Sequence, residues 1–354
     1  MHDLSLWATG ATWILDVVII LLTSLLIFRS ICQHFLRRTP PGGINTRMYA
    51  DINGTRQWIS IYGQDLRNPV LLYLHGGPGA ATSHYDYAFT RKWADVYTVV
   101  TWDQRNCGKS RCPEQADTAL TYDLLIRDGL EMTRFLLDYL KKDKLTLLGH
   151  SWGTIYGCNL VLAHPEYYDC YIGTGQLVDF LENEEAFLEE AAKWAGTDAQ
   201  SLELLGKLTP GVFSRESVAA RNALMTRYGY DLFADGTDYN MTLTQLCTPS
   251  YSLGDFLWLL HGDFSLYEAF LNSAEFRKFS LLRRTDYPVP YYNINGDRDF
   301  QTNYRLAREY FDQVHAPRKA LYLMENTTHG LLESKSEAFS KILHEIAQAE
   351  QNSQ

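Results

Sequence analysis

No Cys-x-x-Cys pair occurs among the six cysteines of this 354-residue chain, so a zinc ribbon or a thioredoxin-like redox centre has nothing to build on. Cys32, Cys107, Cys112, Cys158, Cys170 and Cys247 read as structural thiols, with Cys107 and Cys112 the pair nearest in sequence. Basic residues never run longer than two, and the formal net charge is −10. A nucleic-acid partner needs a basic face to displace phosphate counterions, so none is expected. There is no internal repeat and no low-complexity tract. Hydrophobic residues at 46% and charged residues at 21% are ordinary for a globular protein and exclude a disordered one. The length allows one large domain with an insertion.

Residues 11–28 (ATWILDVVIILLTSLLIF) are almost wholly apolar and would span roughly 27 Å as a helix. A secretory signal needs a basic start and a small-residue cleavage site, and neither is present. An uncleaved membrane anchor is expected, with residues 1–40 forming the anchor and linker. Asp16 inside the run keeps open an amphipathic or buried helix instead. Arg29, Arg37 and Arg38 follow the run, whereas only Asp3 is charged before it. That asymmetry predicts a single-pass anchor with the remaining chain on the cytoplasmic side. Asn-x-Ser/Thr triplets at Asn53, Asn240 and Asn326 are too short to overturn this orientation.

After Pro40-Pro41-Gly42-Gly43 the chain alternates strand and helix patterns. Strands are expected at 57–61, 70–74, 96–102, 145–148, 171–174, 289–295 and 320–324, with helices at 122–140, 152–164 and 336–348. Short apolar runs separated by amphipathic helices imply a mostly parallel sheet covered on both faces. From about 176 to 286 the rhythm gives way to helical stretches, beginning with a Glu-rich helix at 181–194. The expected architecture is a core of 41–175 and 287–354, carrying an inserted helical cap at 176–286.

Gly149-His150-Ser151-Trp152-Gly153 matches G-x-S-x-G between a predicted strand and a predicted helix, the context of a nucleophile elbow. The helix after Ser151 offers its first amides to developing negative charge. His75-Gly76-Gly77-Pro78-Gly79 follows the 70–74 strand directly, where a turn can supply a second oxyanion donor; Gly77 and Trp152 are the candidate pair. In 103–110, Gly108-Lys109-Ser110 resembles the tail of a phosphate-binding loop, but Asp103 stands where that loop needs glycine. Phosphate binding is rejected, and the loop is expected to shape the floor of the site. Parallel strands share their carboxyl edge, which brings Gly296-Asp297-Arg298-Asp299 and the loop reaching His329 to the side where Ser151 emerges. His329 is the candidate base. Asp299 is preferred to Asp297 as its orienting acid, because it lies farther past the strand end.

These residues resemble the proline iminopeptidase group of α/β hydrolases. The likeness rests on His75-Gly76-Gly77-Pro78-Gly79, on Asp103-Gln104-Arg105 with Gly108 and Ser110, and on Gly149-His150-Ser151-Trp152-Gly153-Thr154. Gly296-Asp297-Arg298-Asp299 and His329 extend it over most of 50–345, with the cap matching least. The resemblance implies an α/β-hydrolase fold and metal-free removal of an N-terminal residue, often proline, from short peptides. It supports Asp299 as the fourth residue of a Gly-x-x-Asp pattern, and it implies no cofactor. Asn106 departs from the glycine usual in the family's Asp-Gln-Arg-Gly loop. The cap does not display clear acidic residues to hold a free amine; Asp179, Glu182, Glu184 and Glu185 open it, and Glu184 is the candidate. An N-terminal membrane segment is also foreign to the usual pattern.

The expected activity is a serine aminopeptidase acting on short peptides. A carboxylesterase, amidase or lactonase on small acyl substrates is the alternative, since a cap sets specificity. A non-catalytic binding protein on the same fold fits less well with an intact Ser151, Asp299 and His329. Epoxide hydrolases and haloalkane dehalogenases need a carboxylate nucleophile where this chain has Ser151.

Overall fold

The computed structural model describes residues 2–112, 118–260 and 264–352. It opens with a 35-residue helix, α1 (His2–Leu36), and the 24 residues from Trp13 to Leu36 are long and apolar enough to cross a membrane. Every side chain from 13 to 28 is exposed, so this apolar run is not a buried core helix. The last turns of α1 are tied to the body of the protein. The Arg29 guanidinium donates to the carbonyls of Leu246 and Tyr251. Gln33 donates to Thr248 O at 2.7 Å and Arg37 to Pro249 O at 3.0 Å.

The edge strand β1 (Ile44–Ile52) and its neighbour β2 (Thr55–Gly63) follow, paired antiparallel across a two-residue turn. The turn residues Asn53 and Gly54 have φ of 43° and 76°, as a hairpin of this length demands. The sequence reading had the centre of β2 and missed β1, whose polar and apolar residues are mixed along an exposed edge.

The rest of the sheet is built from β3 (Val70–Leu74), β4 (Thr98–Trp102), β5 (Leu145–His150), β6 (Tyr168–Thr174), β7 (Tyr291–Gly296) and β8 (Lys319–Met324). The order is β1-β2-β4-β3-β5-β6-β7-β8, and every pair from β4 to β8 is parallel. Along β3, Val70, Leu72 and Leu74 enter one apolar cluster, and Leu71 and Tyr73 enter another on the opposite face. A sheet covered on both faces needs strands apolar on both sides, which is why these strands were legible as continuous apolar runs.

The short α2 (Tyr87–Thr90) precedes β4, and α3 (Tyr122–Leu140) follows it. Thr121 caps α3 by accepting from Leu124 N at 3.1 Å. With α4 (Trp152–Ala163), α3 covers one face of the sheet through Leu125, Met132, Leu136, Ile155 and Tyr156.

Between β6 and β7 the described chain forms only helices: α5 (Phe180–Ala195), α6 (Ala199–Leu205), α7 (Arg215–Tyr228), α8 (Met241–Cys247), α9 (Leu253–Leu260), α10 (Ser265–Leu271) and α11 (Ala274–Arg277). An antiparallel bridge between Asp179 and Ser280 draws the two ends of this excursion together. Then come α12 (Tyr304–Gln313), which the sequence reading did not anticipate, α13 (Leu331–Ser334) and α14 (Ser336–Gln351). Phe339, Leu343 and Ile346 of α14 cover the second face.

Candidate active site

The strand-to-helix turn between β5 and α4 holds Ser151 at φ 54° and ψ −119°, a backbone that L residues adopt only when their surroundings enforce it. The enforcement is visible. A Cβ on Gly153 would stand 2.0 Å from Leu74 O, and one on Gly149 would stand 2.4 Å from Gly153 O. The turn is that tight, so both flanking positions must be glycine. Ser151 N donates to Thr174 O at 2.9 Å, and Thr154 Oγ returns a bond to Ser151 O at 2.6 Å.

The loop after β3 crosses directly over this turn, where a Cβ on Gly76 would lie 3.2 Å from Ser151 Cβ. Gln104 ties the loops together. It accepts from Trp152 Nε1 at 2.8 Å and donates through Nε2 to His75 O at 3.3 Å. Its amide also donates to His75 Nε2 at 3.2 Å, which leaves Nδ1 to donate to Gly76 O at 2.8 Å. Burial pushes His75 down to about 4, so this histidine is a neutral strut. Arg105 meets Asp128 in a buried ion pair, with Nε 2.6 Å from Oδ2 and Nη2 2.8 Å from Oδ1. Asn106, where the resemblance implies glycine, takes the left-handed conformation, φ 57°. The departure is thus absorbed, since asparagine tolerates this region better than other side chains. Gly108 has no such latitude, because a Cβ there would fall 2.3 Å from Asp103 Oδ2.

His329 and Asp299 come from the loops after β8 and β7. His329 Nδ1 lies 2.7 Å from Asp299 Oδ2. The Asp299 carboxylate is fully buried and also accepts from the amides of Gln301 and Thr302, each at 3.0 Å, and from Thr302 Oγ at 3.1 Å. Asp297 accepts from Thr327 N at 3.2 Å instead. On its other side, His329 packs against Gly175, where a Cβ would come within 2.8 Å of Cε1. The His150 ring stands 4.8 Å from the His329 ring, and burial together with His329 holds His150 well below the usual imidazole range.

Ser151, His329, Gly76 and Gly77 line one cavity of about 600 Å³. Trp152 begins α4 immediately beside it. Helix α7 contributes Asn222, Met225 and Thr226 to the cavity wall, and the segment after it contributes Asp231, Leu232 and Phe233. This segment is fastened to the base loop, since Asp235 Oδ2 accepts from Thr328 N at 2.9 Å.

Glu184 is not among the residues lining this cavity. It pairs with Arg221 at 2.7 Å, and that guanidinium lies 3.8 Å from the centre of the Phe187 ring. Asp179 caps α5 by accepting from Glu182 N at 2.9 Å. A carboxylate the sequence reading passed over does reach the cavity: Glu333 on α13, buried and accepting from Tyr85 OH at 3.3 Å. Burial pushes its carboxyl up to about 7. No local pattern marks this residue; its position after His329 was the available signal. Among the described residues no group of three or more His, Cys, Asp or Glu is arranged to hold a metal.

A model of the alpha/beta hydrolase fold matches residues 69–224. A Bacillus subtilis (strain 168) protein named as a probable aminopeptidase, YbaC, is 27% identical over 291 residues, which cover 78% of this chain and 88% of that one. The proline iminopeptidase of Lactobacillus helveticus (strain DPC 4571) is 31% identical over 117 residues, 32% of this chain and 37% of the relative. The crystal structure of proline iminopeptidase from Mycobacterium smegmatis superposes with a TM-score of 0.60 at 16% identity, over 86% of this chain and 98% of that one.

Proposed function

We propose that this α/β hydrolase, which is proline iminopeptidase-like in sequence, releases N-terminal residues from short peptides through an acyl-enzyme on Ser151. The observation that carries the reading is the shared cavity of Ser151 and His329, with the imidazole held at 2.7 Å by a carboxylate that is itself pinned by two amides. Ser151 Oγ attacks the carbonyl of the first residue, and His329 Nε2 takes its proton. Asp299 fixes the tautomer with hydrogen on Nδ1 and stabilises the imidazolium. The amides of Gly77 and Trp152 receive the developing oxyanion. His329 then protonates the departing amine, and water, activated by the same imidazole, releases the acyl group. The names of the relatives support a peptide rather than an ester as substrate.

The exposed apolar stretch of α1 serves, in this reading, as a single-pass membrane anchor with the hydrolase domain on the cytoplasmic side. Arg29 and Arg37 favour this orientation, lying at the end of the stretch where they also bond carbonyls of 246–251.

The test is made on the full chain in detergent, because α1 contributes bonds to the folded body. Hydrolysis of prolyl-, alanyl- and phenylalanyl-arylamides is compared with that of a short-chain acyl ester, with Ser151→Ala as control. Arylamide turnover that requires both Ser151 and a free amine is expected. Ester turnover alone would place the enzyme among carboxylesterases or lactonases. Alkaline extraction of membranes followed by protease protection tests the anchor and its direction.

A further inference from the structure

The cavity around Ser151 holds a carboxylate for which proton transfer between Ser151, His329 and Asp299 has no use. Glu333 is 3% exposed, and its Oε1 accepts the Tyr85 hydroxyl at 3.3 Å. Its other oxygen, Oε2, is buried without a hydrogen-bond partner among the described residues. The protein itself supplies this oxygen no donor, and folded proteins mostly fill such a position with water or a ligand. Among the described residues no lysine or arginine lines the cavity, while Asp231 adds a second carboxylate to its wall. The cavity is therefore built short of positive charge. A ligand that brings an N–H donor and a charge of +1 would satisfy both deficits.

We propose that Glu333 receives the free α-ammonium, primary or secondary, of the residue whose carbonyl Ser151 attacks. The assignment rests on the aminopeptidase reading and gives that reading its specificity. It moves the amine site from the cap to the core. Glu184, the candidate from sequence, is neutralised by Arg221 at 2.7 Å, whereas Glu333 has no cationic side chain paired with it among the ion pairs of the described residues. Placement in the core has a consequence for positioning. Glu333 and His329 belong to one stretch of chain after β8, so the group that holds the amine and the group that moves the proton keep their spacing even when the cap shifts. Tyr85 steadies the carboxylate without neutralising it. Burial raises the Glu333 carboxyl to about 7, and an ammonium ion beside it would draw the proton off again.

The experiment uses the full chain in detergent with alanyl-p-nitroanilide and its N-acetyl counterpart, comparing wild type and Glu333→Gln. The quantity read is the ratio of kcat/KM between the free and the acetylated substrate. In Glu333→Gln the ratio is expected to fall by about ten-fold or more, some 1.4 kcal/mol, with the loss carried mainly by KM for the free amine. An undiminished ratio in Glu333→Gln overturns the assignment and leaves the aminopeptidase reading intact. A wild type that treats the two substrates alike overturns that reading and the assignment with it. If Glu333→Gln does not fold, Glu333→Asp draws the charge back by one methylene. It should raise KM for the free amine alone, and an equal effect on both substrates would overturn the assignment.

Discussion

Asp299 Oδ2 stands 2.7 Å from His329 Nδ1, while the partner oxygen of the same carboxylate is held by the amides of Gln301 and Thr302 at 3.0 Å each. A carboxylate fixed in this way can choose the imidazole tautomer, because it accepts only from a protonated Nδ1.

Asp299→Asn should therefore lower kcat by about 10³–10⁴, with KM little changed, since an asparagine can stabilise the wrong tautomer. Asp297→Asn leaves the imidazole untouched and should stay within a few-fold of wild type, because Asp297 serves the Thr327 amide. Steady-state kinetics on the arylamide substrate decide the matter. The reverse order of severity would hand the orienting role to Asp297.

The Arg105–Asp128 pair makes a second prediction, about stability. Asp128 accepts from Arg105 Nε at 2.6 Å, from Asn53 Nδ2 at 2.9 Å and from Gln57 Nε2 at 3.0 Å, and both charged side chains are almost wholly buried. Removing one charge strands the other in a low-dielectric interior, so Asp128→Ala should cost about 3–5 kcal/mol. Denaturant unfolding measures it. A cost under about 1 kcal/mol would mean that water reaches the guanidinium.

The parts of the molecule that local sequence determines were the parts that could be read. The 70–74 strand and the helix at 122–140 were delimited as they fold, because one is a continuous apolar run and the other an amphipathic repeat opened by a capping Thr121. The elbow was legible since its glycines, Gly149 and Gly153, are required by contacts within a few residues and one neighbouring strand. The pairing of Glu184 with Arg221 was not legible, because Arg221 lies on a different helix, α7, and no local pattern links the two. Glu333 was silent for the converse reason. Its burial comes from the Tyr85 segment and from packing around α13, which no spacing in the sequence reports. Edge strand β1 escaped because a half-exposed edge tolerates polar residues that blur the alternation.

Asn106 supplies a third prediction. It holds φ 57° and its Oδ1 accepts from Cys112 N at 3.3 Å. Asn106→Gly keeps the conformation at little steric cost and should be near neutral in stability. Asn106→Ala must pay for a left-handed backbone without a side-chain bond, about 1 kcal/mol. Thermal unfolding of the two variants compares them directly. Equal midpoints would show that the loop relaxes out of the left-handed region.

The last prediction concerns pH and Glu333. Its carboxyl is raised from 4.5 in the free side chain to about 7 in the fold. Between those values the folded protein keeps a proton that the unfolded chain releases. The contribution to stability is then fully present below pH 4.5 and is lost as pH rises toward 7, by up to about 3 kcal/mol at 1.36 kcal/mol per unit. The phenols facing Glu333, those of Tyr73, Tyr85 and Tyr239, are pushed up by burial and stay neutral over this range. His75 and His84, each pushed down to about 4 by burial, act in the opposite direction, since the unfolded chain takes up their protons first. These histidines, like His329, are common to wild type and variant, so they largely cancel in a difference. Glu333→Gln cannot ionise, and its melting temperature relative to wild type should rise from pH 5 to about pH 7 and level off above it. A difference that is flat across that interval would mean the Glu333 carboxyl is ionised throughout, solvated in the cavity rather than buried against Tyr85.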